Sequence, residues 1–183
     1  MKQVVQIRCK NNKKSQNISI GSSLSEIFFD FGLKMDFGPV NARVNNKVEG
    51  LDYRVYHNKD VEFLDLRSAS GLRAYTRTLF FILCKAASEL YPGKKMVIDI
   101  PVSNGYYCDL QLGRAINDED VERISTRMKE IIDAKLPITR HECTTEEAIR
   151  MFTQLGDDTK VKLLKSTGKL YTEYYDIDRY SDY

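Results

Sequence analysis

Hydrophobic positions first fall at strand spacing: Val4, Val5 and Ile7 open a strand, Asn11-Asn12 with the neighbouring lysines make a turn, and Ile18 and Ile20 begin the partner. The spacing then becomes helical. Gly21-Ser22-Ser23 supplies a start, Leu24, Ile27, Phe28 and Phe31 line one face, and Gly32 is the stop. Pro39 to Lys47 reads as a strand entering a polar turn, and Val61 to Leu64 as a closing strand. Hairpin, helix, strand and strand make a first module of residues 1–66.

Residues 67–183 make the second, after a linker of small residues and serine caps from Leu66 to Gly71. Leu72, Tyr75, Leu79, Leu83, Ala86 and Leu90 recur every three or four residues, which predicts a long helix with one continuous apolar stripe. Pro92-Gly93 ends it. Met96 to Ile100 predicts a strand, Asn104-Gly105 a tight turn, and Tyr106 to Leu110 the returning strand. Asn117 caps a helix whose Asp118, Glu119 and Asp120 complement the dipole, with Val121, Ile124, Met128 and Ile131 on its buried side and Lys135-Leu136-Pro137 as its end. A strand from Ile138 to Cys143 leads into a Thr144/Glu147 capping box, a helix with Ala148, Met151, Phe152 and Leu155 inward, and a Gly156 stop. From Val161 come a short apolar stretch, a Ser166-Thr167-Gly168 turn and a tyrosine-rich hairpin containing Tyr171, Tyr174, Tyr175, Tyr180 and Tyr183. The expected class is α+β.

Composition excludes several roles. With 42% hydrophobic and 30% charged residues the 183-residue chain is no disordered tail. No apolar run approaches the ~18 residues of a membrane span, and the start, MKQVVQIRCK, has no stretch long enough for a signal peptide. A cytoplasmic protein without a membrane partner is expected. Cys9, Cys84, Cys108 and Cys143 show no CxxC spacing, which argues against both a disulfide framework and a locally built zinc site. The net charge of +2 does not announce nucleic-acid binding, so any RNA contact needs a local patch. Arg8, Lys10, Lys13 and Lys14 around the Asn-Asn turn are the candidate, with a solvated hairpin tip as the alternative.

The segment LYPGKKMVIDIPVSNGYYCD, Leu90 to Asp109, resembles the second additional domain of threonyl-tRNA synthetases, in which a helix ending in L-W/Y-P is followed by a strand and an N-G-F/Y-Y-Y-D turn. The phrases IGSSLSEI and VNARVNNKVEGLDY resemble the β-grasp TGS domain. Together these resemblances imply a TGS-like β-grasp followed by an α/β sandwich like the threonyl/alanyl-tRNA synthetase editing domain, expected to be truncated at its C-terminal end. In that family an HxxxH pair on the first helix and a Cys and a His in a later E-Y-x-D-x-C-R-G-P-H segment line a site that hydrolyses wrongly charged tRNA. Counting back from Leu90-Tyr91-Pro92 puts the two histidines at Arg77 and Phe81, and the tail Tyr171 to Tyr183 holds no Cys or His. A guanidinium and a phenyl ring can neither ligate a metal nor act as a base near neutrality. The expectation is therefore no catalytic residue, no metal and no cofactor in this segment. Arg73 and Arg77, one turn apart, with Tyr106 and Tyr107 as aromatic walls, are candidates for an anion site such as a phosphate or an RNA end, the alternative being surface arginines paired with carboxylates.

The stretches LDLRSASGLRAYTRTLFFIL and LYPGKKM also resemble the N-terminal regions of uridine-kinase-type nucleoside kinases, which carry a TGS domain and a degenerate synthetase-like domain before a P-loop kinase. That resemblance implies a parent that phosphorylates nucleosides with ATP and magnesium, a downstream kinase domain as partner, and a regulatory or RNA/nucleotide-docking role here. No P-loop lies in the chain: Ser166 to Leu170 lacks the first glycine, where Leu163 stands, and the hydroxyl residue after Lys169. Two alternatives stay open, a divergent editing region hydrolysing mischarged tRNA and a structural or oligomerisation module.

Overall fold

Strand β1 (Val4–Cys9) alternates exposed and buried positions, and its inward Val5, Ile7 and Cys9 begin the first core. The computed structural model describes residues 3–103 and 105–183, in two compact units, Met1–Leu79 and Phe80–Tyr183. In the first unit β1 pairs antiparallel with β2 (Lys14–Ser19), and α1 (Leu24–Asp30) follows. Strands β3 (Asn41–Val44), β4 (Lys47–Glu49) and β5 (Lys59–Leu64) complete a sheet of order β2-β1-β5-β3-β4, in which β1 and β5 run parallel. Ser23 and Glu26 close the capping box of α1: the Ser23 hydroxyl accepts from the Glu26 N–H at 3.2 Å, and the Glu26 carboxylate accepts from the Ser23 N–H at 2.7 Å. Leu24, Ile27 and Phe28 of α1 pack with Ile7, Ala42, Val61 and Phe63 of the strands. Asn11, in the β1–β2 turn, also joins β5: its amide donates to the Phe63 carbonyl at 2.9 Å and its carbonyl oxygen accepts from the Phe63 N–H at 2.8 Å.

Helix α2 (Ala69–Leu90) starts three residues before Leu72, inside the stretch expected to be a linker. Ser68 starts it, its hydroxyl accepting from the Gly71 N–H at 3.0 Å and donating to the Asp65 carbonyl at 2.8 Å. The expected stripe is not continuous. Leu72 and Tyr75 are exposed, Leu79 and Leu83 are half-buried, and the buried positions are Gly71, Ile82, Lys85, Ala86 and Ala87.

In the second unit β6 (Met96–Val102) and β7 (Gly105–Leu110) form a two-stranded ribbon. Of its expected Asn104-Gly105 turn, Asn104 lies outside the described residues. Helix α3 (Asp118–Asp133) is capped by Asn117 and buries Ile124 and Ile131, whereas Val121, expected inward, is exposed. Strand β8 (Thr139–Thr144) leads through the Thr144/Glu147 capping box into α4 (Thr145–Gln154), where Ala148 and Phe152 are buried and Leu155, expected inward, is exposed. The short apolar stretch from Val161 and the expected Ser166-Thr167 turn lie on a helix: α5 (Asp158–Thr167) begins at the Asp157 cap, buries Val161 and Leu164, and ends at Gly168 with φ 64°. Strands β9 (Tyr171–Ile177) and β10 (Tyr180–Asp182) form the expected hairpin and join β8 in a sheet of order β10-β9-β8. The molecule is a mixed α+β protein, and no helix among its described residues is long and apolar enough to cross a membrane.

Candidate functional site

Helix α2 and the C-terminal hairpin meet at Phe81 and Tyr180, whose ring centroids lie 5.4 Å apart with planes tilted by 59°. Around them pack Ile82, Ala86, Ile131 and Ile177. Phe81, the position to which the resemblance assigned the second histidine, thus touches the tail to which it assigned the Cys and His. The contact is an aromatic pair whose ring faces lie against apolar side chains and carry no lone pair. Among the described residues no three His, Cys, Asp or Glu side chains converge to hold a metal ion.

The polar edge of this contact is a charged cluster. The Tyr180 hydroxyl donates to Asp182 Oδ2 at 2.8 Å, and Lys160 Nζ lies 2.9 Å from Asp182 Oδ1 and 3.1 Å from Asp157 Oδ2. Lys160 also sits over the Phe152 ring, 5.1 Å from its centroid. Burial works against the lysine's charge, but Asp182 and Asp157 outweigh it and hold the ammonium above its ordinary range. Burial raises the Tyr180 hydroxyl strongly, and Asp182 adds to the shift. Cys84, on α2, is pushed up to about 11, first by burial and then by Asp182. It is therefore a neutral thiol near pH 7 and no nucleophile. What the cluster offers chemically is a fixed cation beside two carboxylates. The sequence does not announce it, because Lys160 lies just before the stretch read only as apolar and its partner Asp182 becomes a neighbour only through tertiary packing.

One turn beyond Phe81, Lys85, Ser88, Glu89, Asp178, Arg179 and Tyr180 line a cavity of about 440 Å³. Lys85 Nζ lies 2.7 Å from Glu89 Oε1 and 3.7 Å from Asp178 Oδ2, and Glu89 Oε2 accepts from Arg127 at 2.7 Å. Burial raises the Glu89 carboxyl, but hydrogen bonds from Arg127 and Lys85 prevail and keep it below the ordinary range.

The expected site residues lie elsewhere. Arg73 and Arg77 occupy the part of α2 that belongs to the first unit, both exposed, and neither has a hydrogen-bond or ion-pair partner among the described residues. Tyr106 and Tyr107 belong to the second unit and, as neighbours on β7, project from opposite faces of the ribbon. Tyr106 meets Phe80 edge-on, with centroids 4.7 Å apart. Arg8 pairs with Asp60 at 2.6 Å, while Lys10, Lys13 and Lys14 are exposed around the β1–β2 turn, Lys13 with φ 59°. His141 Nε2 lies 2.9 Å from Asp176 Oδ2 on the β8–β9 sheet and stacks on Tyr174, a pairing that residues so far apart in sequence do not announce.

No family model matches the chain. Individual proteins do. Over 143 residues, 78% of the chain, it is 33% identical to a threonine–tRNA ligase of Natranaerobius thermophilus. Over 162 residues, 87% of the chain, it is 31% identical to that of Aquifex aeolicus, and over 138 residues, 70% of the chain, 33% identical to threonine–tRNA ligase 1 of Bacillus subtilis. The chain spans only 22–25% of the length of these relatives. It therefore carries a threonyl-tRNA-synthetase-like region. The expectation of a uridine-kinase-type parent is overturned, since the similarity runs to ligases.

Proposed function

We propose that the chain is a divergent editing-type region of a threonyl-tRNA-synthetase-related protein, and that its substrate class is the aminoacylated 3′ end of a tRNA. The observation that carries this reading is the meeting of α2 with the tail at Phe81 and Tyr180, because those two segments hold the hydrolytic residues in the family that the sequence resembles. The chain's similarity to several threonine–tRNA ligases supports it. On the same reading the first unit is a TGS-like β-grasp body: its hairpin, helix and later strands follow that order, and Arg8, Lys10, Lys13 and Lys14 are its contacts to RNA phosphates.

Hydrolysis of an aminoacyl ester needs a water oxygen to form a bond to the carbonyl carbon while the bond to the ribose oxygen breaks. The water's proton passes to a base, and the ribose oxygen leaves protonated. With the histidines replaced, the groups beside the Phe81–Tyr180 contact are the carboxylates of Asp182 and Asp157 as proton acceptors and the Lys160 ammonium as partner for the developing oxyanion. Both carboxylates are already tied to Lys160, so neither is free to take the water's proton and the chemistry is slow. The test uses threonine tRNA charged with serine, charged with threonine, or uncharged. The chain should retain charged tRNA at low salt, lose it steeply as salt rises, and release serine slowly but faster than buffer. Lys160→Met should abolish the release and spare retention. Failure to retain any tRNA overturns the reading; retention with an ester as stable as in buffer removes its hydrolytic half.

A further inference from the structure

The outer side of α5 combines unpaired positive charge with exposed apolar side chains. From Thr159 to Tyr171 the sequence holds four lysines and no acid. Lys160 turns inward to Asp157 and Asp182, but Lys162, Lys165 and Lys169 are exposed and have no ion-pair partner among the described residues. Val161 and Leu164 face the core, so Thr159, Lys162, Leu163 and Ser166 fall on the opposite side of the helix. Lys95 reaches the head of that side, its Nζ donating to the Thr159 hydroxyl at 2.6 Å. Apolar groups stand among these cations: Leu163 is 52% exposed, Tyr171 61% and Leu170 82%, more than any other large apolar side chain among the described residues. The exposure of Leu170 is not that of a loose loop, since its carbonyl accepts from the Thr145 N–H at 2.9 Å and the neighbouring Lys169 carbonyl accepts from the Thr145 hydroxyl at 2.7 Å. Single exposed leucines are ordinary on a protein surface. Several apolar side chains held beside unpaired cations call for a partner.

We infer that this side of the second unit binds the surface of an anionic phospholipid bilayer, with the lysines on headgroup phosphates and Leu163, Leu170 and Tyr171 reaching toward the hydrocarbon. Charge complementarity selects an anionic partner, and the leucines select among anionic partners. An RNA strand would pair its phosphates with the lysines but offer the leucines no apolar contact. An acidic protein surface would need hollows shaped for both leucines, whereas a bilayer moulds itself to side chains that protrude. Its layers also follow the order of the groups: anionic headgroups meet the flexible lysine tips, tyrosine suits the boundary, and leucine suits the acyl region below. Each lysine near such a surface raises binding roughly fivefold. The expectation of no membrane partner rested on the lack of a spanning segment, and an interfacial contact needs none. The inference stands apart from the proposed tRNA-handling role, because Lys162, Lys165 and Lys169 belong neither to the Phe81–Tyr180 contact nor to the charged cluster beside it.

Vesicle sedimentation of the full chain tests this, with phosphatidylcholine alone and with phosphatidylcholine mixed with an equal amount of phosphatidylglycerol. The chain should bind the mixed vesicles at low salt at least roughly tenfold more tightly than the neutral ones, and let go as salt rises. Lys162→Gln, Lys165→Gln and Lys169→Gln together should bring binding down to the neutral-vesicle level. Leu163→Ser with Leu170→Ser keeps every charge yet should weaken binding at least roughly fivefold, a loss that attraction between charges alone does not produce. All these positions are exposed, and an unchanged circular dichroism spectrum shows that the fold persists. Equal binding to both kinds of vesicle, binding to neither, or full binding by the leucine variant overturns the inference. So does retention of uncharged tRNA that is lost in the lysine variant and kept in the leucine variant, which would make the stripe an RNA track. Self-association that disappears with the leucines overturns it as well, and would make the stripe a contact between copies of the chain.

Discussion

Asp120 is buried at the start of α3 and accepts from Arg114 at 2.6 and 2.8 Å, from the Tyr91 hydroxyl at 2.9 Å and from the Asn117 N–H at 3.1 Å. The Arg114 guanidinium, followed by the Asn117 N–H, holds its carboxyl well below the usual carboxylate range. A group depressed on folding contributes stability that is fully present above its unfolded value, about 3.9, and is lost as pH falls through the folded one. Asp120→Asn should therefore lower stability at neutral pH, and its deficit relative to wild type should shrink below about pH 4. Urea melts between neutral and strongly acidic pH check this; a deficit that stays constant to the lowest pH would mean that the ion pair is not the cause. The Asn117 cap was legible in sequence, because its partner lies three residues away. Arg114 and Tyr91 were not, because nothing local in the sequence pairs them with Asp120.

Among the elements, those whose boundaries rest on short-range chemistry were legible: Ser23/Glu26, Asn117/Asp120 and Thr144/Glu147 mark three helix starts by side chains that must lie near each other. Helix α5 was missed because Asp157 lacks an acidic or amide partner three residues on and because Gly168, its left-handed end, also reads as a turn. The stripe of α2 misled for another reason. Apolar residues at helical spacing are compatible with burial but do not require it, and Leu72 and Tyr75 remain in solvent. The start of α2 depends on Gly71, where a Cβ would collide with the backbone carbonyl of Asp65, an atom that no side-chain rotation can clear. Gly71→Ala should cost about 1–3 kcal/mol by overpacking, although alanine is the better helix former. Thermal melts and the helical circular dichroism signal measure it; a stabilised variant would show that the turn before α2 yields freely.

At the scale of the molecule, each unit has its own core, and in the second the deepest large side chain is Phe152, packed with Ala148, Val161 and Leu164. Phe152→Ala should cost about 3–5 kcal/mol, and it also removes the ring under Lys160. Denaturant unfolding of the second unit reads this directly, and a loss under about 1 kcal/mol would mean that the α4–α5 pair collapses to fill the space. The fold class was open to sequence reading because alternating and helical spacings are local. The charged cluster and the cavity were not, because their residues come from α2, α5 and the last turn. The Phe81–Tyr180 contact has a consequence for substitution. Histidine at position 81 alone would place an imidazole among Ile82, Ala86 and Ile177, and changing Tyr180 alone would take away the hydroxyl that Asp182 accepts from. Each single step lowers stability before any hydrolytic group has a second to work with, and neighbouring changes of this kind do not combine additively. The two rings therefore hold each other in place, and either position accepts a polar replacement only together with the other.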